Sequence, residues 1–199
     1  MLFLHNFLFF CRTNIYVFNN QFKSQKMNVI LIGYMASGKS SVGKILANKL
    51  HYDFIDLDDY IEKMEQTSVG NIFKAKGEIY FRKLETIYLK EILDGKDHIV
   101  LSLGGGTPCY GNNMDVILND SNSKSIYLKT SIPTLVDRLK NEKSKRPLIA
   151  HIETDDLLTE FIGKHLFERS QFYNLAETKI TTDNKTEINI VEELLLNLF

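Results

Sequence analysis

Val29-Ile30-Leu31-Ile32-Gly33-Tyr34-Met35-Ala36-Ser37-Gly38-Lys39-Ser40 runs from four apolar residues straight into a loop bounded by glycines. An unbroken apolar run closed by glycine reads as a parallel strand buried on both faces. Beyond the loop, Val42, Ile45, Leu46 and Leu50 recur at helical spacing, so Lys39 to Leu50 reads as a helix. The loop itself, Gly33 to Ser40, fits G-x-x-x-x-G-K-[ST], with the strand before it and the helix after it that this pattern needs. Glycine lets the backbone wrap closely around phosphate oxygens, and the amides at the helix start add partial positive charge. Ala36, Ser37, Gly38, Lys39, Ser40 and Ser41 are therefore the candidate nucleotide contacts. Lys39 is placed to reach the β- and γ-phosphates of ATP, and the Ser40 hydroxyl to ligate Mg²⁺.

Outward from this loop, strand and helix alternate. Phe54 to Asp56 reads as a short strand and Asp58 to Met64 as a helix. Ser68 is a candidate N-cap for a helix that Gly77 interrupts before a longer one over 78–93. His98 to Leu103 reads as the third strand, Met114 to Leu118 as a short helix and Ser125 to Leu128 as the fourth strand. A helix over Ile132 to Lys140, with Pro133 in its first turn, is followed by a polar, basic stretch, 141–152, expected to be a mobile loop. Asp155 to Tyr173 reads as helix, Thr178 to Thr182 as the fifth strand and Glu187 to Leu198 as an amphipathic helix. Strands joined by helical crossovers predict an α/β fold with a parallel sheet covered on both faces, with ligands beyond the carboxyl ends of the strands. The clusters at Gly33, Asp56 and Gly104 all fall there.

Composition narrows the partners. The chain has 199 residues, enough for one domain with a sizeable core. Its net charge of −1 gives no reason to expect nucleic acid or an anionic membrane as partner, which leaves small molecules as the default. Cys11 and Cys109 are the two cysteines, with no disulfide expected between them and a cytoplasmic setting implied. His5, His51, His98, His151 and His165 show no metal-ligand spacing and read as surface or packing residues. Leu2 to Phe10 is apolar but far short of the roughly 20 residues that span a bilayer, and it lacks the basic start of a secretory signal. The absence of acidic residues before Met27 leaves an organelle transit peptide open. The stronger expectation is that residues 1–26 are poorly ordered or dispensable, with Met27 the true start and 27–199 the folded domain.

Asp56 and Asp58 stand two apart at the end of a strand, a spacing that sends both side chains to one side. One can hold water around Mg²⁺ while the other takes the proton of an attacking hydroxyl, although helix-start carboxylates look the same. Gly104-Gly105-Gly106 allows close backbone approach to a ligand, and a tight turn explains it equally well. Arg82, Arg146 and Arg169 could grip carboxylates or phosphates in bidentate fashion, or face water as most helical arginines do.

Taken in order, the loop G-Y-M-A-S-G-K-S-S, F-I-D-L-D (54–58), S-V-G-N-I-F (68–73), G-E-I-Y-F-R-K-L-E (77–85), L-S-L-G-G-G (101–106), R-P-L (146–148) and the arginine of E-R-S-Q-F-Y (168–173) resemble shikimate kinase. The resemblance covers about residues 28–175. It implies a three-layer α/β/α fold with five parallel strands ordered 2-3-1-4-5 and a lid over about 141–152. It implies ATP-dependent phosphorylation of shikimate, with Mg²⁺. No long apolar stripe is left unassigned, so a monomer is the expectation, and the net charge argues for neither nucleic acid nor membrane. By position, Ser40 and Asp56 (through water) would hold Mg²⁺. Asp58 would contact and deprotonate the acceptor hydroxyl. Arg82 and Arg169 would clamp the shikimate carboxylate, with Gly105 giving a backbone contact. Lys39 and the lid residue Arg146 would stabilise the transferring phosphoryl group, and Arg138 would approach the adenine. Phe73 and Phe81 would flank the acceptor pocket, or equally belong to the core. Ser41 stands where many relatives carry threonine, and Lys185 stands loosely for a basic residue near the adenine. Another small kinase of this fold, for gluconate or a nucleoside monophosphate, and a catalytically silent ATP-binding relative are the competing readings.

Overall fold

The computed structural model describes residues 27–142, 146 and 148–199. The expectations for residues 1–26 lie outside the described residues, as does that part of the 141–152 lid formed by 143–145 and 147. Five strands form one parallel sheet in the order β2-β3-β1-β4-β5: β1 Asn28–Ile32, β2 Asp53–Asp56, β3 Ile99–Ser102, β4 Ser123–Lys129 and β5 Thr178–Thr181. This is the predicted order.

Side-chain alternation along β1 builds both layers of core. Val29 and Leu31 face one way with Val100, Ile126, Leu128 and Ile180, under helix α1 (Lys39–Leu50) and the C-terminal helix α7 (Glu187–Leu198). Ile30 and Ile32 face the other way with Ile99 and Leu101. They pack under α2 (Leu57–Glu65), α3 (Val69–Gly95), α5 (Ile132–Lys140) and α6 (Asp155–Tyr173). The remaining helix, α4 (Asn113–Asn119), follows a 3₁₀ turn at Thr107–Cys109 that periodicity does not reveal. Burial of β1 on both faces is what its unbroken apolar run requires.

Register then sets the site. Leu31 lies opposite Ser102, and Ser102 opposite Asp56, so three chains leave the sheet at one edge. The phosphate loop, the Gly104–Gly106 turn and the start of α2 emerge side by side. No described helix is long and apolar enough to cross a membrane.

Differences from the sequence reading have local causes. His98 takes a left-handed backbone (φ 59°) and stays outside β3. β4 starts at Ser123 rather than Ser125 because Asn28, the first residue of β1, pairs with Ser123. The strand reading of Asp56 and Asp58 needs correction. β2 ends at Asp56, whose side chain accepts from the Asp58 N–H as the N-cap of α2, so Asp58 sits in a helical first turn.

Ser68 caps α3 as expected, and Gly77 bends that helix with φ 78° and ψ 173°. That region of backbone space is essentially reserved for glycine, and holding another residue there costs about 1–3 kcal/mol. Gly77→Ala is therefore expected to lower unfolding stability in urea by about 1–3 kcal/mol. Gly95→Ala, where an added Cβ meets open space and φ is not positive, is expected to shift it by less than about 1 kcal/mol.

Candidate active site

Gly33 and Gly38 shape the phosphate loop for steric reasons. A Cβ on Gly33 would lie 2.7 Å from Ser37 Oγ and 2.9 Å from the Leu128 carbonyl oxygen. Gly38, with φ 96°, stands at the N-cap of α1 and offers no side chain to its amides. Among the described helices of nine residues or more, α1 alone lacks a side-chain cap, and no acid occupies its first turn. Its free amides and positive dipole end therefore favour an anion in the cleft. The buried Ser37 Oγ in the same loop has no hydrogen-bond partner.

Lys39 is buried, and its Nζ donates to the carbonyl oxygens of Gly33 and Tyr34, both at 2.9 Å. Burial pulls its pKa down to about 8, with Asp56 and Asp58 opposing. Ser40 Oγ donates to Asp56 Oδ2 at 2.8 Å, which brings together the two groups expected at the metal. Asp58 Oδ1 is buried without a partner. Burial, then the neighbouring charges of Asp56 and Glu85, push the Asp58 pKa up to about 7.

These groups line a cleft of about 580 Å³ together with Ala36, Ser37, Ser41, Gly104, Gly105, Arg138, Arg146 and Lys185. Arg138 Nη1 donates to the Ala36 carbonyl oxygen at 2.9 Å. Arg146 is held by Glu142, Nη2 donating to Oε2 at 2.9 Å, and Lys185 Nζ donates to Glu193 Oε2 at 2.5 Å.

The other two arginines do not line this cleft. They reach the glycine turn that Asp58 also approaches. A Cβ on Gly106 would fall 2.6 Å from Arg82 Nη1, one on Gly105 would fall 3.7 Å from Arg169 Nη1, and one on Gly104 would fall 3.0 Å from Asp58 Oδ1. Asp58 and the two guanidinium groups thus gather around one three-residue turn. Arg82 is engaged on all sides: Nη1 donates to Glu85 Oε2 at 2.8 Å, and Nε and Nη2 donate to Glu78 Oε1 at 3.2 and 3.0 Å. Its Cζ also lies 4.1 Å from the centre of the Tyr110 ring. To receive a carboxylate it must exchange the more exposed Glu78 for the ligand.

A protein-family model described as shikimate kinase matches residues 35–198. The chain belongs to the shikimate kinase family. A shikimate kinase of Flavobacterium psychrophilum is 46% identical over 171 residues, covering 86% of this chain and 98% of that protein. The crystal structure of shikimate kinase from Bacteroides thetaiotaomicron superposes with a TM-score of 0.79 at 35% identity, covering 86% of this chain and 98% of the other. Shikimate kinase from Acinetobacter baumannii in complex with shikimate also gives 0.79, at 27% identity over 90% of this chain and 96% of its own. A gluconokinase from Sinorhizobium meliloti reaches 0.51 at 18% identity, covering 87% and 91%, and shares the fold alone.

Several residues of this shikimate kinase site receive no role from the sequence, although Glu85 and Tyr173 close two of the quoted motifs. Glu85 is completely buried, and Thr107 Oγ1 donates to its Oε1 at 2.5 Å, so one carboxylate braces both Arg82 and the glycine turn. Its position three after Arg82 is a helical ion-pair spacing, the signal that could have found it. Tyr173 donates its hydroxyl to the Gly105 carbonyl oxygen. His165 is more than a packing residue: its Nδ1 lies 3.1 Å from the Tyr34 hydroxyl, across 131 residues of chain, and no local pattern announces that contact. Phe73 and Phe81, ring centres 4.7 Å apart, pack in the core and do not line the cleft. Cys109 is a free thiol whose pKa burial raises to about 11, which keeps it unreactive.

Were Asp58 to act as the base and Lys39 as the cation, kcat/KM would rise through about pH 7 and fall above about pH 8. A pH–rate profile on the free enzyme checks both limbs. The raised pKa of Asp58 also means that its ionisation opposes folding, from the unfolded value near 3.8 up to about 7. Asp58→Asn is thus expected to abolish turnover yet raise the melting temperature at pH 8, with little change at pH 4, by calorimetry.

Proposed function

We propose that this chain transfers the γ-phosphoryl group of ATP to a ring hydroxyl of shikimate, giving shikimate 3-phosphate and ADP, a step on the route to chorismate and the aromatic amino acids. One observation carries the reading: Asp58, with its partnerless oxygen, and the two arginines Arg82 and Arg169 converge on a single glycine turn beside an uncapped helix and a buried lysine. A ligand laid along that turn would present an alcohol to Asp58 and an acid group to the guanidinium forks.

In this reaction the acceptor oxygen forms a bond to γ-phosphorus as the bond to the β,γ-bridging oxygen breaks, and ADP leaves. The hydroxyl proton passes to Asp58, whose raised pKa suits it to accept a proton near neutrality. Lys39 follows the charge that builds on the transferring group. It exchanges the carbonyl oxygens of Gly33 and Tyr34 for phosphate oxygens. Arg146, released from Glu142, would bring a second positive charge from the lid, whose closure excludes water from the phosphoryl group. Arg138 would lie against the adenine, with Lys185 lining the same cleft.

Mg²⁺ is the expected metal. Ser40 and Asp56 present a hydroxyl and a carboxylate within hydrogen-bond distance of each other at the phosphate loop. That is the oxygen donor set a magnesium ion takes when substrate phosphates and water complete its shell. The absence of any cluster of three or more acidic, cysteine or histidine groups among the described residues fits the same mode, in which the nucleotide brings the ion. When bound, the ion would neutralise phosphate charge. Ser40 would ligate it, and Asp56 would hold its water. The protein is expected to work as a cytoplasmic monomer on these two small molecules, without nucleic acid or membrane.

The deciding experiment follows ADP release with a panel of hydroxy acids, using the chain from Met27. Shikimate is expected to support turnover and gluconate or a nucleoside monophosphate not to. Arg82→Ala is expected to raise the KM for shikimate about 10- to 100-fold while leaving ATP binding intact, the range for losing a charge-assisted hydrogen bond. An unchanged KM for shikimate would exclude this acceptor geometry.

A further inference from the structure

Tyr34 belongs to the phosphate loop, yet its side chain turns away from the cleft and is buried. Its carbonyl oxygen accepts from Lys39 Nζ at 2.9 Å and from the Ser37 N–H at 3.2 Å, so the backbone here helps shape the phosphate cradle. The side chain meets α6. Tyr34 Oη lies 3.1 Å from His165 Nδ1, and Arg169, one turn further along the same face of α6, sets its Cζ 5.7 Å from the centre of the Tyr34 ring. Phe161, one turn earlier, packs its ring 4.1 Å from the imidazole and fixes its plane. A single tyrosine thus touches the lysine's backbone partner, the imidazole and the acid-binding guanidinium.

The chemistry of the pair suits a fixed strut. Burial holds the Tyr34 phenol protonated, with its pKa raised to about 12. Burial, and then Arg169, hold the imidazole pKa below its ordinary range. A neutral imidazole with its proton on Nε2 accepts a hydrogen bond from the phenol at Nδ1, and one with its proton on Nδ1 donates to the phenol oxygen, so either tautomer keeps the contact. The contact lies between two elements that grip different substrates. Arg169 touches the opposite wall as well, beside Gly105, against which Met35 N and the Gly33 carbonyl also pack.

We propose that Tyr34 and His165 form a positioning couple that locks Arg169 to the phosphate loop, so that the acid-binding guanidinium is set in place by the same backbone that cradles the nucleotide. This deepens the function proposed above and rests on Arg169 gripping the acid group of the acceptor. His165 is a positioning residue and touches neither substrate. It acts through Arg169.

Steady-state kinetics on the full chain test the couple. His165→Leu is expected to raise the KM for shikimate about ten-fold while the KM for ATP stays within about two-fold. His165→Asn, whose Oδ1 can take up the position of Nδ1, is expected to recover most of that loss. In an Arg169→Ala background, His165→Leu is expected to add no more than about two-fold, as groups acting in series do. Should His165→Leu fold poorly, Tyr34→Phe removes the same hydrogen bond, keeps the ring and must give the same split between the two KM values. The couple is overturned if His165→Leu leaves the KM for shikimate unchanged, if both KM values rise together, if Asn fails to rescue, or if the two losses multiply. Arg169→Ala without effect on shikimate would remove the acceptor grip as well. A loss at Arg169 with none at His165 would remove the couple alone.

Discussion

An ammonium group buried away from water must be surrounded by oxygen, or it will shed its proton. Lys39 meets that demand with two carbonyl oxygens of its own loop and the nearby carboxylates of Asp56 and Asp58. Each of these requires something of the chain. The carbonyls turn inward only because the backbone doubles back between Gly33 and Gly38, and the carboxylates arrive only because β2 stops level with β1 and β3. Sheet register, loop conformation and the start of α2 are therefore parts of one electrostatic solution.

The Gly104–Gly106 turn carries a second set of demands. It is approached by Asp58, Arg82, Thr107, Arg169 and Tyr173 from several elements, and a Cβ would be crowded at Gly104 and Gly106. Opposite charges stand close by without pairing to Asp58. Glu85 and Glu78 hold Arg82 instead, and the carbonyl oxygens of Gly33 and Tyr34 take the Lys39 ammonium. Their arrangement leaves Asp58 with an oxygen that no described residue satisfies.

Much of this was legible in the sequence, for reasons that can be traced to particular residues. The apolar run Val29–Ile32 specified a strand buried on both sides, and the cap Ser68 stands where the helix signal places it, whereas the caps Ser131, Thr154 and Thr186 came only with the structure. The phosphate loop and its lysine were readable because their spacing is local. The pairing of Asp56 and Asp58 was read on the right side of the sheet for the wrong reason, since strand alternation gives way to an N-cap between them. The contact of His165 with Tyr34 was beyond reach, because it depends on where α6 crosses the sheet. Periodicity fixes which face of a helix is buried but not which residue of a distant loop it will meet. Arg82 showed the same limit: its residue type fits an acid-binding fork, while its partners in the unliganded protein follow from helical neighbours.

The bare N-terminus of α1 bears on the physiology of the protein as well as on its chemistry. Where the other described helices of nine residues or more carry a serine, threonine or aspartate, this one leaves its first amides to a guest, which then completes the secondary structure from outside. A guest that binds only the folded chain adds RT ln(1 + [L]/Kd) to its stability, about 2.7 kcal/mol at a hundredfold excess over Kd. Resistance to heat and to proteolysis then rises with the occupancy of that site.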